Sequence, residues 1–359
     1  MTTKSRAAFV IMAGGRGERL WPLVRSSVPK VCVLVDGTRT LLEMTLRRIQ
    51  PLAAGCPLLI VTTQSQARPI RTVLSPAFQP SILAEPQPRN TAACIALSAV
   101  VLARRDPNLV MVVLPADHWI KQPHAFHRSL QAAIALAQTR AWMVTIGVRP
   151  TRVHPGLGHL CTGASLGRRH GCRVFRLSRF VEKPSRQIAQ RLLREQRTYW
   201  NAGIFVGRIS TFLDLIQRWL PNHARRLFPL GKTSRGPAFA RTAAAAAAYR
   251  RLRAVSFDDG VMAHLQDGCV VEGNFDWEDL GSWDSWARIK PLNHPGVAVA
   301  SRNVRVISPD EHLVATIGLE DVVVVHTRDA TLLCRTQDAQ GVRAVVAQLS
   351  HDRRLSRYL

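Results

Sequence analysis

The sequence predicts an α/β protein, a doubly wound sheet followed by a small β-rich unit, and three observations carry that expectation. Apolar runs alternate with helical patterns through the first 150 residues, as in strands covered on both faces by crossover helices. The first run ends in clustered glycines, "MAGGRGERL" at residues 12–20, the arrangement of a buried strand feeding a phosphate-binding turn. From about residue 296 the apolar runs shorten and turn residues separate them.

The elements follow in order. "AFVIMAG", "PLLIVTT", "LVMVVLPAD" and "WMVTIGV" read as buried strands, and "TLLEMTLRRIQPL", "NTAACIALSAVVLARRD" and "AFHRSLQAAIALAQ" as the helices between them. Asn90 or Thr91 is a natural N-cap for the second of these helices. In such a sheet the ligand crevice lies at the carboxyl ends of the strands, where the glycine cluster and "LPAD" both fall. Asp117 then ends an apolar strand, a position costly for a carboxylate unless it is paired or metal-bound. Beyond residue 150, "RVFRLSRFVEKP" reads as a strand, "SRQIAQRLLREQ" as a helix capped by Ser185, and "NAGIFVGR" as a further strand. The basic stretch from about 221 to 253 holds six alanines, Ala243 to Ala248, and reads as a plain helix without chemistry. "VAVAS", "HLVATIG", "DVVVVHT" and "TLLCR" make up a stacked β unit closed by a helix, of a kind that often packs against a partner subunit. No fixed-period repeat stands out. The expected division is 1–295 and 296–359.

Composition bounds the function. The chain has 359 residues, 47% of them hydrophobic, with mean hydropathy near zero, which describes a protein with a substantial core. No apolar run reaches the ~20 residues of a spanning helix, and the run before the glycines lacks a cleavage-like site. Seven cysteines at irregular spacing without a CxxC pair suit a reducing compartment. A cytoplasmic protein is expected, with no membrane partner. The net charge is +25, and six of the 49 basic residues are lysine. The arginines are scattered and no aromatic-basic interleaving accompanies them, so an arginine-rich bias that also attracts phosphorylated small molecules is favoured over a nucleic-acid partner. In so lysine-poor a chain, Lys30 and Lys183 stand out.

The ordered strings "AGGRGERLWPL…VPK", "EPQPRNTAACIAL", "VLPADH", "FVEKP", "WNAGIF" and "WEDLGSW" resemble the nucleotidyltransferases that make nucleotide sugars, and most closely the mannose-1-phosphate guanylyltransferases. "GLEDVVVVHTRDATLLC" is similar to that family's C-terminal segment, so the resemblance runs from about residue 8 to 347. It implies a Rossmann-like doubly wound mixed sheet of the nucleotide-diphospho-sugar transferase type with a small C-terminal β-rich domain. It also implies Mg²⁺-assisted transfer of GMP from GTP to mannose 1-phosphate, giving GDP-mannose and pyrophosphate. The chemistry agrees with the residue types: an ionised sugar phosphate needs no general base, only in-line positioning and charge neutralisation.

By this resemblance Gly14, Gly15 and Gly17 admit the triphosphate to backbone amides, aided by a helix opening near Arg16. Arg19 clamps the phosphates and Lys30 adds a compact charge. Asp117 and Asp279 are the implied Mg²⁺ ligands, Asp276 and Glu278 being close enough to be mistaken for Asp279. Glu85, Arg89, Asn90 and Thr91 are implied at the base. Lys183 neutralises the sugar phosphate, Glu182 accepts from sugar hydroxyls, and Gly158, Asn201 and Gly203 complete the sugar wall. Trp277 and Trp283 frame the sugar or pack in the core. A homodimer through the β-rich domain is a further implication.

Some positions depart from the family pattern. "HPGLGHL" lacks the aromatic of a Thr-Gly-Tyr-Gly loop, placing Leu157 before Gly158; "SFDDGVMAHL" keeps Asp258 but puts Asp259 beside it; Glu18 replaces a small Thr or Ser; and "VCVLVDG" follows Lys30. These leave transfer to another sugar 1-phosphate such as a heptose, another base, or a weakly catalytic regulatory homologue as alternatives. The chain ends soon after the β segment, so the isomerase domain of bifunctional relatives is not expected.

Overall fold

The computed structural model describes residues 7–35, 37–233, 242–289, 296–308 and 312–359. Its strands are β1 Ala7–Met12, β2 Leu58–Thr63, β3 Ser81–Glu85, β4 Val110–Pro115, β5 His118–Ile120, β6 Met143–Val148, β7 His159–Arg169, β8 Cys172–Val181, β9 Thr198–Arg208, β10 Gly268–Gly273 and β11 Trp277–Asp279. The C-terminal unit adds β12 Gly296–Val299, β13 Arg305–Ile307, β14 Val314–Ile317, β15 Val322–Thr327 and β16 Ala330–Arg335.

The described residues form a nine-stranded sheet in the order β3-β2-β1-β4-β9-β6-β10-β8-β7. β1 runs parallel to β2 and β4, and β10 parallel to β6, while β9 lies antiparallel between β4 and β6. β1, β4, β6 and β10 therefore deliver their carboxyl ends to one edge, where the mixed α/β fold expected from the sequence places a ligand. The strands are apolar on both sides because both sides are covered. One face packs on the helices Leu41–Ala53 and Pro123–Thr139 through Phe9, Ile11, Leu46 and Phe126, and the other on Asn90–Ala103 and Ile209–Trp219 through Val10, Val61, Leu97 and Phe212. The helix at Arg186–Arg194 is capped by Ser185, whose Oγ accepts from the Ile188 amide.

Three local readings differ from expectation. The helix Asn90–Ala103 has no side-chain cap. Asn90 has a left-handed φ of 63° and its Oδ1 accepts from the adjacent Thr91 amide, while Thr91 Oγ1 is taken by the Phe257 amide. The element after the glycines is a single 3₁₀ turn, Glu18–Leu20, too short to supply the dipole expected near Arg16. The alanine-rich helix Ala243–Arg250 is not merely a spacer, because it brings the buried Tyr249 against Glu85 at the base of the cleft described below. Residues 234–241 of the basic stretch lie outside the described residues.

The C-terminal unit is a short β-helix. β12 pairs in parallel with β14 and β13 with β15, each partner 18 residues on, and a bridge from Arg302 to Glu320 has the same offset. This is a repeat the sequence did not disclose. So few coils leave too few equivalent positions for a period to stand out. The expected boundary at residue 295 lies outside the described residues. The two units share a core of Leu20, Trp21, Trp283, Trp286, Val323, Val325, Leu332 and Val342.

Candidate active site

The glycine loop leaves β1 at the carboxyl edge. Gly17 has φ +65°, and a Cβ there would lie 2.8 Å from Cβ of Lys30. Only glycine satisfies both the left-handed backbone and the close approach. Lys30 is 6% exposed and starts a 3₁₀ turn at Lys30–Cys32. Its ammonium pairs with Asp117 Oδ2 and lies 3.7 Å from Asp279 Oδ1.

Asp117 follows β4, and Asp279 ends β11, where it sits opposite His118 in the β5–β11 ribbon. Burial alone would raise the Asp117 carboxyl, but Lys30 and His118 outweigh it and hold the group below its ordinary value. Among the neighbouring acids, Asp276 accepts from Gln122, and Glu278 is taken by Arg152 and Arg288. Asp279 is thus the one of the three that reaches Lys30. Two carboxylates offer the hard oxygens Mg²⁺ prefers, and that ion keeps waters and takes substrate phosphate oxygens for the remaining positions. No cluster of three or more His, Cys, Asp or Glu suited to a metal occurs among the described residues, so these two fit Mg²⁺ only together with a phosphate.

A cleft of about 610 Å³ opens beside this pair, with Gly14, Glu85, Asn90, Thr91, Asp117 and Asp258 among its walls. Glu85 ends β3 at its base. Burial pushes its pKa up to about 8, against a lowering contribution from Tyr249, whose hydroxyl donates to Oε1 over 3.1 Å. Arg89 also lines the cleft, but its guanidinium donates to the carbonyls of Tyr249 and Arg250 at 2.7 and 3.0 Å. It ties the alanine-rich helix to the wall.

On the other side, Asn201 Oδ1 accepts from Thr145 Oγ1 and from the Gly203 amide, while Asn201 Nδ2 donates to Asp258 Oδ1 over 2.7 Å. Gly203 is left-handed at φ +62°. Burial, reinforced by Glu182, raises Asp258 to about 7. Lys183 pairs with Glu182 at 2.7 Å. Burial would lower its pKa, but Glu182 and the acids Asp258 and Asp259 outweigh this and raise it. Gly158 packs against Glu182, since a Cβ there would meet its Oε2 at 2.8 Å. Leu157, at the place of the missing aromatic, is buried.

Comparison with known proteins gives this arrangement its relatives. A nucleotidyl transferase family model matches residues 8–294, and a mannose-phosphate isomerase/GMP-like β-helix domain model matches residues 295–349. A mannose-1-phosphate guanylyltransferase of Salmonella muenchen is 32% identical over 98% of this chain and 75% of its own. The chain belongs to the mannose-1-phosphate guanylyltransferase family of nucleotidyltransferases. The xanthan biosynthesis protein XanB of Xanthomonas campestris pv. campestris (strain B100) is 33% identical over 95% of this chain and 72% of its own. The crystal structure of a Thermus thermophilus protein named mannose-1-phosphate geranyltransferase has a TM-score of 0.79 at 31% identity, covering 96% of this chain and 99% of that one.

Within this family fold the structure brings together Gly14, Gly15, Glu85, Arg89, Asn90, Thr91, Asp117 and Gly203 around the cleft, with Lys30 and Asp279 on Asp117, and with Glu182, Lys183 and Asn201 linked through Asp258. Trp277 and Trp283 are not among the walls of this cleft. Trp277 is buried and donates to His118 Nδ1, and Trp283 is buried and donates to the Trp21 carbonyl. Nothing in the sequence marks Thr145, Tyr249 or Gln340. Thr145 lies within an apolar strand pattern, Tyr249 ends an alanine run, and Gln340 precedes the terminal helix; none has a motif around it. Asp258 gains a role only from the geometry, although its position in the family-like string is a usable signal.

Proposed function

We propose that the protein transfers GMP from GTP to mannose 1-phosphate, releasing GDP-mannose and pyrophosphate. The observation that carries this is the meeting of Lys30, Asp117 and Asp279 beside the glycine loop at the carboxyl edge of the sheet. In the reaction an ionised oxygen of the sugar phosphate forms a bond to the α-phosphorus, and the bond from that phosphorus to the bridging oxygen of the β-phosphate breaks. Pyrophosphate leaves with that electron pair. The amides of Gly14, Gly15 and Gly17 line the triphosphate, Arg19 clamps it and Lys30 offsets its charge. Asp117 and Asp279 would hold Mg²⁺, which supplies Lewis-acid polarisation when bound. Lys183 holds the sugar phosphate, while Glu182 and Asp258 accept from the sugar hydroxyls over the Gly158 and Gly203 backbone.

Guanine finds a partner in Glu85. Its carboxyl, which burial keeps protonated below about pH 8, would on ionising against the base present two acceptors to an edge with two adjacent N–H donors, with Asn90 and Thr91 beside it. Loss of such a two-point contact costs about 1–3 kcal/mol, so Glu85→Gln should lower kcat/KM for GTP about tenfold to a hundredfold.

The units 1–295 and 296–359 would divide the work, the first holding the substrates and the second forming a homodimer. Val297, Val299, Leu313 and Ile317 are all at least half exposed on the β-helix, and β12 and β14 place three of them side by side. A cytoplasmic setting fits the cysteines, all free, and no helix among the described residues is long and apolar enough to cross a membrane.

The test is pyrophosphate release with Mg²⁺ across four nucleoside triphosphates and several sugar 1-phosphates, alongside Asp117→Asn. Turnover confined to GTP with mannose 1-phosphate and lost in the variant supports the reading. Turnover with another pair discards the substrates, and binding without turnover points to a regulatory protein.

A further inference from the structure

Arg19 is the one phosphate residue named above whose guanidinium is held by the C-terminal unit. Its Nη1 donates to Oε1 of Gln340 over 3.0 Å. Gln340 in turn donates from Nε2 to Ser282 Oγ over 3.1 Å, and Ser282 donates to Asp284. On its other side Arg19 runs against Gly281, where a Cβ would lie 2.9 Å from Nη2 and 3.2 Å from Asp279 Oδ1. The guanidinium therefore lies between a glycine that leaves it room and an amide that fixes its fork. Gln340 comes from the segment Thr336–Gly341 that follows the β-helix, 321 residues from Arg19 in the chain.

We propose that Gln340 is a positioning residue for Arg19, through which the β-helical unit sets the phosphate-binding arginine of the other unit. This rests on the reading of Arg19 as the triphosphate clamp. An arginine side chain is rich in rotamers, and one free to sample them loses much of that freedom again at each binding event. A neutral acceptor at Nη1 fixes the fork in advance. It also leaves the positive charge unspent, which a carboxylate partner would not, so the arginine remains fully available to phosphate. Ser282 anchors the amide at the start of the helix Trp283–Arg288, within the same "EDLGSW" string that carries Asp279. The glycine and serine of that string thereby acquire a shared task, one giving Arg19 space and the other orienting its partner.

Gln340 is exposed, so substitutions there leave the core intact. Gln340→Met keeps the length of the side chain and removes both hydrogen bonds. Gln340→Glu keeps an acceptor for Arg19 but sets a carboxylate against its charge. Steady-state kinetics of wild type, both variants, Arg19→Ala and the Arg19→Ala/Gln340→Met pair would be measured with thermal melts. Expected are a drop of about tenfold in kcat/KM for GTP in Gln340→Met at an unchanged melting temperature, with KM for mannose 1-phosphate unmoved, and a loss at least as large in Gln340→Glu, whose carboxylate competes with phosphate for Arg19. The double variant should be no worse than Arg19→Ala alone, as residues acting through one another are non-additive. Wild-type kinetics in Gln340→Met, or losses that multiply in the double variant, would overturn the proposal. If wild type turns over a different substrate pair, the same variants are compared on that pair. If it turns over none, GTP binding by calorimetry replaces kcat/KM: weaker binding in Gln340→Met supports the proposal, and equal binding refutes it.

Discussion

Two carboxyls of the cleft, Glu85 and Asp258, are raised above their ordinary values, chiefly by burial. Glu85, with a folded pKa of about 8 against 4.5, holds a proton that the unfolded chain has released between those values. Stability it contributes is fully present below about 4.5 and lost as pH rises through 8. Glu85→Gln keeps a neutral side chain at every pH, so its melting temperature should exceed that of wild type by a growing margin from pH 6 to pH 9. A margin that stays flat across those melts would place the titration elsewhere. Asp117 shows the opposite sign. Lys30 holds it low, so its contribution exists above the unfolded carboxyl range and fades only as pH falls through the lowered value. Lys30→Met leaves Asp117 partly buried without its cation. Breaking a buried pair in this way costs about 3–5 kcal/mol, and chemical denaturation at pH 7 and pH 3 should show most of that loss at the higher pH. Single residues of this kind were only half legible. The sequence marked Lys30, Asp117 and Asp279 because their strings carried a family likeness, and the geometry then separated Asp279 from Asp276 and Glu278. Tyr249 and Thr145 act through contacts made across 164 and 56 residues of chain, and such distances leave no trace in a local pattern.

At the level of elements, the glycine loop is governed by space as much as by backbone freedom. Gly17→Ala incurs a left-handed alanine, about 1–2 kcal/mol, and drives its methyl into Lys30. The variant should therefore lose turnover more than about tenfold even where melts show it folded, because the cation is displaced. Ser185→Ala provides the contrast. Its helix loses a cap worth about 1 kcal/mol, and kcat/KM should stay at the wild-type value because Ser185 touches nothing in the cleft. The strands and most helices were readable in advance since buried parallel strands are continuous apolar runs. The 3₁₀ turn after the glycines was not, because three residues are too few to show a period.

For the whole molecule, the exposed apolar residues of the β-helix set the expectation of self-association. Ile317→Asp, on the most exposed of these side chains, should convert a sedimenting dimer to monomer without lowering the melting temperature of the larger unit. A wild-type monomer at micromolar concentration would remove the dimer from the proposal. The β-helix coil escaped the sequence, and so did the extent to which the two units share one core. Trp21, Trp283 and Trp286 are ordinary buried aromatics until the chain's far end is seen to lie against them.

The segment just beyond the glycine loop is fastened by residues more than 300 positions later in the chain. The Trp21 indole donates to the Tyr358 carbonyl, Ser26 Oγ to the Leu359 carbonyl, and Arg25 grips Asp329. Ribosomes add about 5–20 residues per second, so these partners emerge on the order of tens of seconds after the loop they secure. During synthesis the segment beyond the glycine loop therefore lacks these partners until the residues after the β-helix have emerged.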